Sequence, residues 1–191
     1  MAQYGFFFDA SRCTGCKTCV IACKDAKGLP VGINFRHVTE VTSGTWEKTE
    51  EGCWTQNVKA YYVSIACNHC EKPACVAVCP TKAHYKDTKT GLVLINADKC
   101  IGCEACAKAC PYGAPVLDEK AKKMRKCDAC AERLGKGGKP VCVEACTMRA
   151  LDFGSIDAFR KKYGSRADIR PLPSPAITKP ALVALAPKNY R

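Results

Sequence analysis

Sixteen of the seventeen cysteines in this 191-residue chain fall into four runs. The most regular is Cys100-x2-Cys103-x2-Cys106-x3-Cys110, closed by Pro111. Thiolates at x2 spacing can reach three irons of one 4Fe–4S cube from a single tight loop. A fourth cysteine, a short helical step further on, can reach a neighbouring cube. The first run, Cys13-x2-Cys16-x2-Cys19-x3-Cys23, has the same spacing, with Lys24 in place of the proline. The second, Cys67-x2-Cys70-x4-Cys75-x3-Cys79, is widened around Glu71, Lys72 and Pro73 and keeps its proline, Pro80. The last is Cys127-x2-Cys130-x11-Cys142-x3-Cys146, whose long gap holds a basic, glycine-rich loop and which ends on Thr147.

Zinc competes for cysteine pairs, but a tetrahedral zinc site uses two separated pairs. It gains nothing from a third cysteine at x2 and a fourth at x3. The runs therefore predict four 4Fe–4S clusters with all sixteen cysteines as ligands. Spacing alone leaves two pairings open, adjacent (first with second, third with fourth) or nested (first with fourth, second with third). Four saturated clusters leave no open iron, and no carboxylate pair, Ser/His set or phosphate loop stands out. The expectation is a carrier of electrons that makes no bonds and meets no small-molecule substrate directly. Cys53 fits no run and is expected to be a buried, unligated thiol. His69, inside the second run, is expected on the surface or in a hydrogen bond, because four cysteines already fill that site.

Loops that bind metal need rigid elements on either side. Residues 4–8, 58–66 and 91–96 read as short strands, each leading into a run, which makes an internal repeat. Residues 149–154 read as a closing strand. The predicted fold class is α+β, with two pseudo-symmetric ferredoxin-like lobes of short strands and helices, much loop and an extended C-terminal arm. Residues 1–28 and 120–156 would form the lobe with the first and fourth runs, and 58–119 the lobe with the second and third. Residues 29–57 would be an insertion, a hairpin or a loop with two short strands. The last 35 residues, 157–191, hold five of the eleven prolines, eight Lys or Arg and no cysteine. They read as an extended arm ordered by a partner protein, anchored through apolar residues such as Ile177 and Leu182.

Composition narrows the class further. The sequence starts Met-Ala-Gln-Tyr-Gly-Phe-Phe-Phe, without the basic region and cleavage site of a signal peptide, which argues against a secreted disulfide framework. It has no apolar run of about 18 residues that could span a bilayer. The formal charge of +12 would suggest nucleic acid, but it counts thiols as neutral. Each cluster with four thiolates carries roughly −2. Four clusters would bring the total near about +4, so the basic excess reads as compensation for cluster charge and no nucleic-acid partner is expected.

With the runs placed, the sequence resembles the iron–sulfur subunits of the anaerobic dimethyl sulfoxide reductase family, four-cluster members of the molybdopterin oxidoreductases. The resemblance rests on the segments beginning at Gln3, Arg12, Cys67, Cys110, Lys126 and Arg149 and covers about 155 residues. It implies nested pairing. Cys13, Cys16, Cys19 and Cys146 would hold cluster 1, nearest a catalytic subunit, and Cys23, Cys127, Cys130 and Cys142 cluster 2. Cys67, Cys70, Cys75 and Cys110 would hold cluster 3. Cys79, Cys100, Cys103 and Cys106 would hold cluster 4, nearest a membrane anchor. Relatives of the nitrate reductase type have tryptophan at the Cys103 position and a three-iron centre there, so cysteine implies a full cube. The resemblance also implies a molybdopterin-containing catalytic subunit and a quinol-oxidising integral membrane anchor as partners. The location would be peripheral on the cytoplasmic membrane, on its extracytoplasmic face through export with the catalytic partner, or on its cytoplasmic face. The rival readings are an equivalent iron–sulfur subunit serving another molybdoenzyme (thiosulfate or polysulfide reductase, formate dehydrogenase), a free polyferredoxin, and a zinc-binding interaction protein.

Overall fold

The Phe6-Phe7-Phe8 run organises the centre of the computed structural model, which describes residues 2–187. Residue 1 of the first lobe and residues 188–191 of the arm lie outside that range. Strand β1 (Tyr4–Asp9) carries the three phenylalanines on alternating faces, as a period-2 backbone requires. Phe6 and Phe8 enter the main core, while Phe7 packs with Ile156, Ala181 and Val183 on the other side. Apolar side chains on both faces make this an interior strand.

Helix α1 (Thr18–Ala26) follows, and then strands β2 (His37–Ser43), β3 (Trp46–Lys48), β4 (Trp54–Gln56) and β5 (Lys59–Ile65). Strand β2 pairs antiparallel with β5 along its whole length, and β3 with β4 beyond it. The 29–57 insertion is thus a long ribbon with three strands of its own, joined to the strand that leads into the second run. Next come α2 (Ala74–Ala77), β6 (His84–Lys86), β7 (Val93–Ile95) and α3 (Ala105–Ala109). Two more ribbon strands, β8 (Val116–Asp118) and β9 (Lys123–Arg125), precede α4 (Ala131–Gly135) and α5 (Val141–Glu144). The chain closes with β10 (Leu151–Ser155), α6 (Ile156–Tyr163) and β11 (Leu182–Leu185). Ribbons β6–β7 and β8–β9 are short antiparallel pairs, and the largest sheet has the order β10-β1-β11. The predicted strands at 4–8, 58–66, 91–96 and 149–154 correspond to β1, β5, β7 and β10. The class is mixed α and β.

The last segment departs from expectation. Its described part, residues 157–187, is folded onto the rest of the molecule. Ser155 caps α6 by accepting a hydrogen bond from the Ala158 amide (3.4 Å), and Phe159 and Tyr163 cover Phe7, the Phe7–Tyr163 centroids lying 4.3 Å apart. Further on, the amides of Glu71 and Lys72 donate to the carbonyls of Lys179 and Thr178, at 2.8 and 2.9 Å, and Ala181 donates to Asn68 at 3.0 Å. Strand β11 then runs parallel to β1, with Leu182 opposite Phe6. Composition misled here because prolines disrupt helices and central strands without preventing burial: Ile169, Thr178 and Val183 are at most 1% exposed. Residues 178–185 thus strap the second cysteine loop to the first strand.

Candidate metal centres

Each cysteine run folds in the same local way. The residue before the second cysteine is left-handed in all four runs: Gly15 (φ 72), His69 (φ 43), Gly102 (φ 70) and Ala129 (φ 55). That turn curls the loop so that successive sulfurs face one side. The third cysteine is always the second residue of a short helix, Cys19 in α1, Cys75 in α2, Cys106 in α3 and Cys142 in α5. For non-glycine residues the left-handed turn costs roughly 1–2 kcal/mol. His69 and Ala129 are held there by complete burial. At the glycines, a Cβ on Gly15 would meet the Tyr62 ring at 2.5 Å, and one on Gly102 would meet the Lys122 carbonyl oxygen at 2.5 Å. A ring can swing aside and a ribbon backbone cannot. We therefore expect Gly102→Ala to lose about 2 kcal/mol or more of stability and much of its iron, and Gly15→Ala to lose less of both. Thermal melts and iron analysis on the two variants check this order.

Helix α1 packs on α5 and α2 on α3. This brings together sulfurs that are distant in sequence. Cys13, Cys16, Cys19 and Cys146 line one cavity, whose walls include Phe8, Val38 and Leu151. Cys67, Cys70, Cys75 and Cys110 line another, with Pro73, Tyr112 and Thr178. Cys130 and Cys142 lie close enough to Cys23 to act on its thiol, and Cys142 and Cys67 act in the same way on Cys127. Cys100 and Cys106 pack together with Cys75, and Cys79 packs against that group. Cys103 is exposed, within electrostatic reach of Cys106.

The surroundings suit a sulfur-bound group. Backbone amides of Met124, Ala129 and Ala150 donate to the sulfurs of Cys100, Cys127 and Cys146, each at 3.3 Å. Thr18 Oγ1 donates to Cys16 at 3.4 Å and, with its own amide, holds that thiol below its ordinary range. Burial acts the other way on the inner sulfurs. It pushes Cys75 up to about 12 and Cys23, Cys70 and Cys106 up to about 11, with neighbouring sulfurs adding to the effect. Such thiols keep their protons until a metal displaces them. Around the second cavity, Asn68 Nδ2, Tyr112 Oη and Thr178 Oγ1 are buried and make no close hydrogen bond among the described residues; Tyr112 and Thr178 lie against Cys70, and Tyr112 also faces Thr178 and Asn68. Soft thiolates ringing a hollow, with buried polar side chains beside them, fit a four-iron cube. Among the described residues no three Cys, His, Asp or Glu are grouped to hold a single metal ion.

Of the two single residues, Cys53 departs from expectation and His69 takes the hydrogen-bonding alternative. Cys53 is exposed rather than buried, because it sits in the turn of the β3–β4 hairpin, outside the core. His69 is not on the surface. It is fully buried, and its Nδ1 accepts from the Val93 amide at 3.1 Å, which puts its ring hydrogen on Nε2. Burial, reinforced by Lys126, lowers its pKa well below the ordinary histidine value, so it is neutral.

The pattern of loops and sulfurs is shared with known proteins. A 4Fe-4S dicluster domain matches residues 58–156 and a 4Fe-4S binding domain matches residues 4–25. The sequence is 54% identical over 190 residues to the B polypeptide of anaerobic dimethyl sulfoxide reductase from Haemophilus influenzae, covering 100% of this chain and 92% of that one. The Escherichia coli K12 polypeptide of the same name is 53% identical over 189 residues, with 99% and 91% covered. This protein belongs to the family of anaerobic dimethyl sulfoxide reductase iron–sulfur subunits. The B polypeptide of sulfite dehydrogenase from Allochromatium vinosum is more distant, 37% identical over 177 residues, with 82% and 70% covered. Membership makes this chain an iron–sulfur electron-transfer subunit that carries 4Fe–4S clusters. Beyond the family's cysteines, the fold draws in residues that spacing could not single out: Ser64 beside Cys19, Arg36 behind it, and Lys126 at the second cavity. Arg36 comes from the insertion, a stretch with no cysteine pattern to mark it. Lys126 had one clue, its place directly before Cys127.

Proposed function

We propose that this chain relays electrons through four 4Fe–4S clusters between a quinol-oxidising membrane anchor and a molybdopterin catalytic subunit of the dimethyl sulfoxide reductase type. The ligand sets are the nested ones. Cys13, Cys16, Cys19 and Cys146 hold cluster 1, and Cys23, Cys127, Cys130 and Cys142 hold cluster 2. Cys67, Cys70, Cys75 and Cys110 hold cluster 3, and Cys79, Cys100, Cys103 and Cys106 hold cluster 4. The packing of α1 on α5 and α2 on α3 supports that order over the adjacent one. It also supports two ferredoxin-like lobes, 1–28 with 120–156 and 58–119, linked by the 29–57 ribbon and the C-terminal strap.

One observation carries the relay. The only two exposed cysteines in the runs are Cys16 and Cys103, one in the first set and one in the last. Electron transfer weakens steeply with distance, so a wire needs sulfur at its ends and insulation between them. When bound, a cluster supplies a one-electron site. The protein's part is to fix its place, exclude water and tune its charge. The chain itself performs no bond chemistry in this reading. Among the described residues no helix is long and apolar enough to cross a membrane, which accords with a peripheral position held by partners. The extracytoplasmic face is the proposed side.

Iron and acid-labile sulfide analysis of the anaerobically purified complex tests the count, about sixteen of each per chain being expected. A zinc-only protein would overturn it. The two ends can be tested separately. Met148 lines the Cys16 cavity and is 41% exposed, and Ile101, between Cys100 and Cys103, is 64% exposed. We expect Met148→Glu to weaken capture of the catalytic subunit and Ile101→Glu to weaken capture of the anchor, each by about tenfold or more, roughly 1.4 kcal/mol. Co-purification yields read both, and a free polyferredoxin would respond to neither.

A further inference from the structure

Two cations are buried in the core without an acid to pair with. Arg36 is 2% exposed and Lys126 6% exposed. Among the described residues neither makes an ion pair with a carboxylate. A buried, unpaired charge is costly enough that proteins supply a counter-ion or neutralise the group. Arginine cannot be neutralised. Its anion must therefore be something other than Asp or Glu.

The placement of each cation points to that anion. Arg36 Nη1 donates to Ser64 Oγ at 3.2 Å, and Ser64 Oγ stands 3.4 Å from the sulfur of Cys19. Its guanidinium lies over the Phe6 ring, 4.8 Å from the centroid, and beside the Cys142 sulfur, and among the described residues its Nε and Nη2 meet no oxygen acceptor. The other sulfurs acting on it are those of Cys142 and Cys127. Arg36 thus faces set 1 through Cys19 and set 2 through Cys142 and Cys127. Lys126 Nζ donates to the carbonyl of Cys127 at 3.0 Å and to that of Val93. The same side chain lines the cavity of Cys67, Cys70, Cys75 and Cys110. Lys126 thus stands between set 2 and set 3.

We propose that Arg36 and Lys126 are inter-cluster counter-ions that raise the reduction potentials of the clusters on either side of them, smoothing the interior of the relay. The inference rests on the four-cluster reading above. Its physical basis is simple. Reduction adds one negative charge to a group already near −2, and a fixed cation in a low-dielectric gap favours the reduced form. A single cation between two clusters acts on both, so it shifts neighbouring potentials together.

The test is a potentiometric electron paramagnetic resonance titration of the assembled complex, purified anaerobically, with iron and sulfide counted in the same samples. Arg36→Met is expected to lower the midpoints of clusters 1 and 2, and Lys126→Met those of clusters 2 and 3. Cluster 4 should hold in both. The expected change is about tenfold or more in the reduced-to-oxidised ratio at fixed potential, ~59 mV for one electron. Arg36→Lys and Lys126→Arg keep the charge and should restore most of the shift. Fully loaded Met variants with unmoved midpoints would overturn the proposal, as would charge-preserving variants that shift as far as the Met ones. If a Met variant fails to load, a loaded charge-preserving counterpart supports the counter-ion role. Failure of both assigns the position to packing and overturns it. A parent complex with fewer than four clusters would instead sink the four-cluster reading itself.

Discussion

Cys103→Trp is expected to turn the last cluster into a three-iron centre, giving a new paramagnetic signal of about one spin per chain in the oxidised protein. The other three couples should keep their midpoints. Cys103 is the exposed member of its set, while Cys100 and Cys106 are buried beside it and Cys79 packs against them. Removing the outer thiolate should release the iron at the surface and leave the inner three sulfurs in place. Quinol-driven turnover should fall by about tenfold or more, equivalent to at least ~1.4 kcal/mol on the barrier. Turnover driven by a dye that reduces the catalytic subunit directly should persist. Loss of all four clusters in this variant would contradict the assigned set, and an unchanged spectrum would contradict Cys103 as a ligand.

The second large effect is on stability. Removing the iron is expected to unfold most of the chain. Cys19, Cys23, Cys67, Cys127, Cys142 and Cys146 belong to the main core, and Cys75, Cys100 and Cys106 form half of a smaller one, with Ala83, Val93 and Met124. A structural metal site contributes on the order of 10 kcal/mol to folding, comparable with the whole stability of a domain, about 5–15 kcal/mol. Helices α2, α3 and α5, each of four or five residues, are too short to persist without the sites they frame. Anaerobic chelation should therefore abolish the near-ultraviolet circular dichroism and most amide protection. Protection should survive longest in the β10-β1-β11 sheet under α6, where Phe7, Ile156, Ala181 and Val183 form a core free of cysteine. An iron-free chain that melts cooperatively within about 5 °C of the loaded one would refute this.

These two results test different halves of the molecule. The first tests which sulfurs form a set, and the second tests whether the sets are the core. The strap at residues 178–185 connects them, because it ties the second cysteine loop to β1 through Lys72, Glu71 and Asn68. Deleting residues 157–191 would remove α6 and β11, so loss of partner capture after that truncation would report unfolding. The single-residue changes at Met148 and Ile101 avoid that confusion.

The cysteine runs were legible because metal ligation constrains spacing tightly. A loop must curl within a few residues to reach three irons, and the x2, x2, x3 pattern is the trace of that curl. The strand before each run was legible for a related reason, since β-branched and aromatic residues cluster where a loop needs an anchor. The C-terminal segment was not legible. Its prolines and basic residues read as an arm waiting for a partner protein, yet Ile169, Thr178 and Val183 are buried against this chain's own residues far away in sequence. Cys53 was misjudged for the opposite reason. Free cysteines are usually buried, and only the hairpin's projection from the core exposes this one.

By itself, the order of residues determined the kind of cofactor and the family, because those depend on local spacing and residue type. Which sulfurs share a cavity was decided only in three dimensions, by helix packing between residues more than a hundred positions apart, as for Cys13 and Cys146. The same holds for the buried charges. Arg36 belongs to an insertion without a cysteine run, and nothing nearby in sequence marks it as a neighbour of Cys19 and Cys142. It meets them because β2 pairs with β5 and brings Ser64 and Arg36 together behind the first loop. Spacing encodes what a short loop can reach. Long-range packing encodes which loops meet and what charge lies between them.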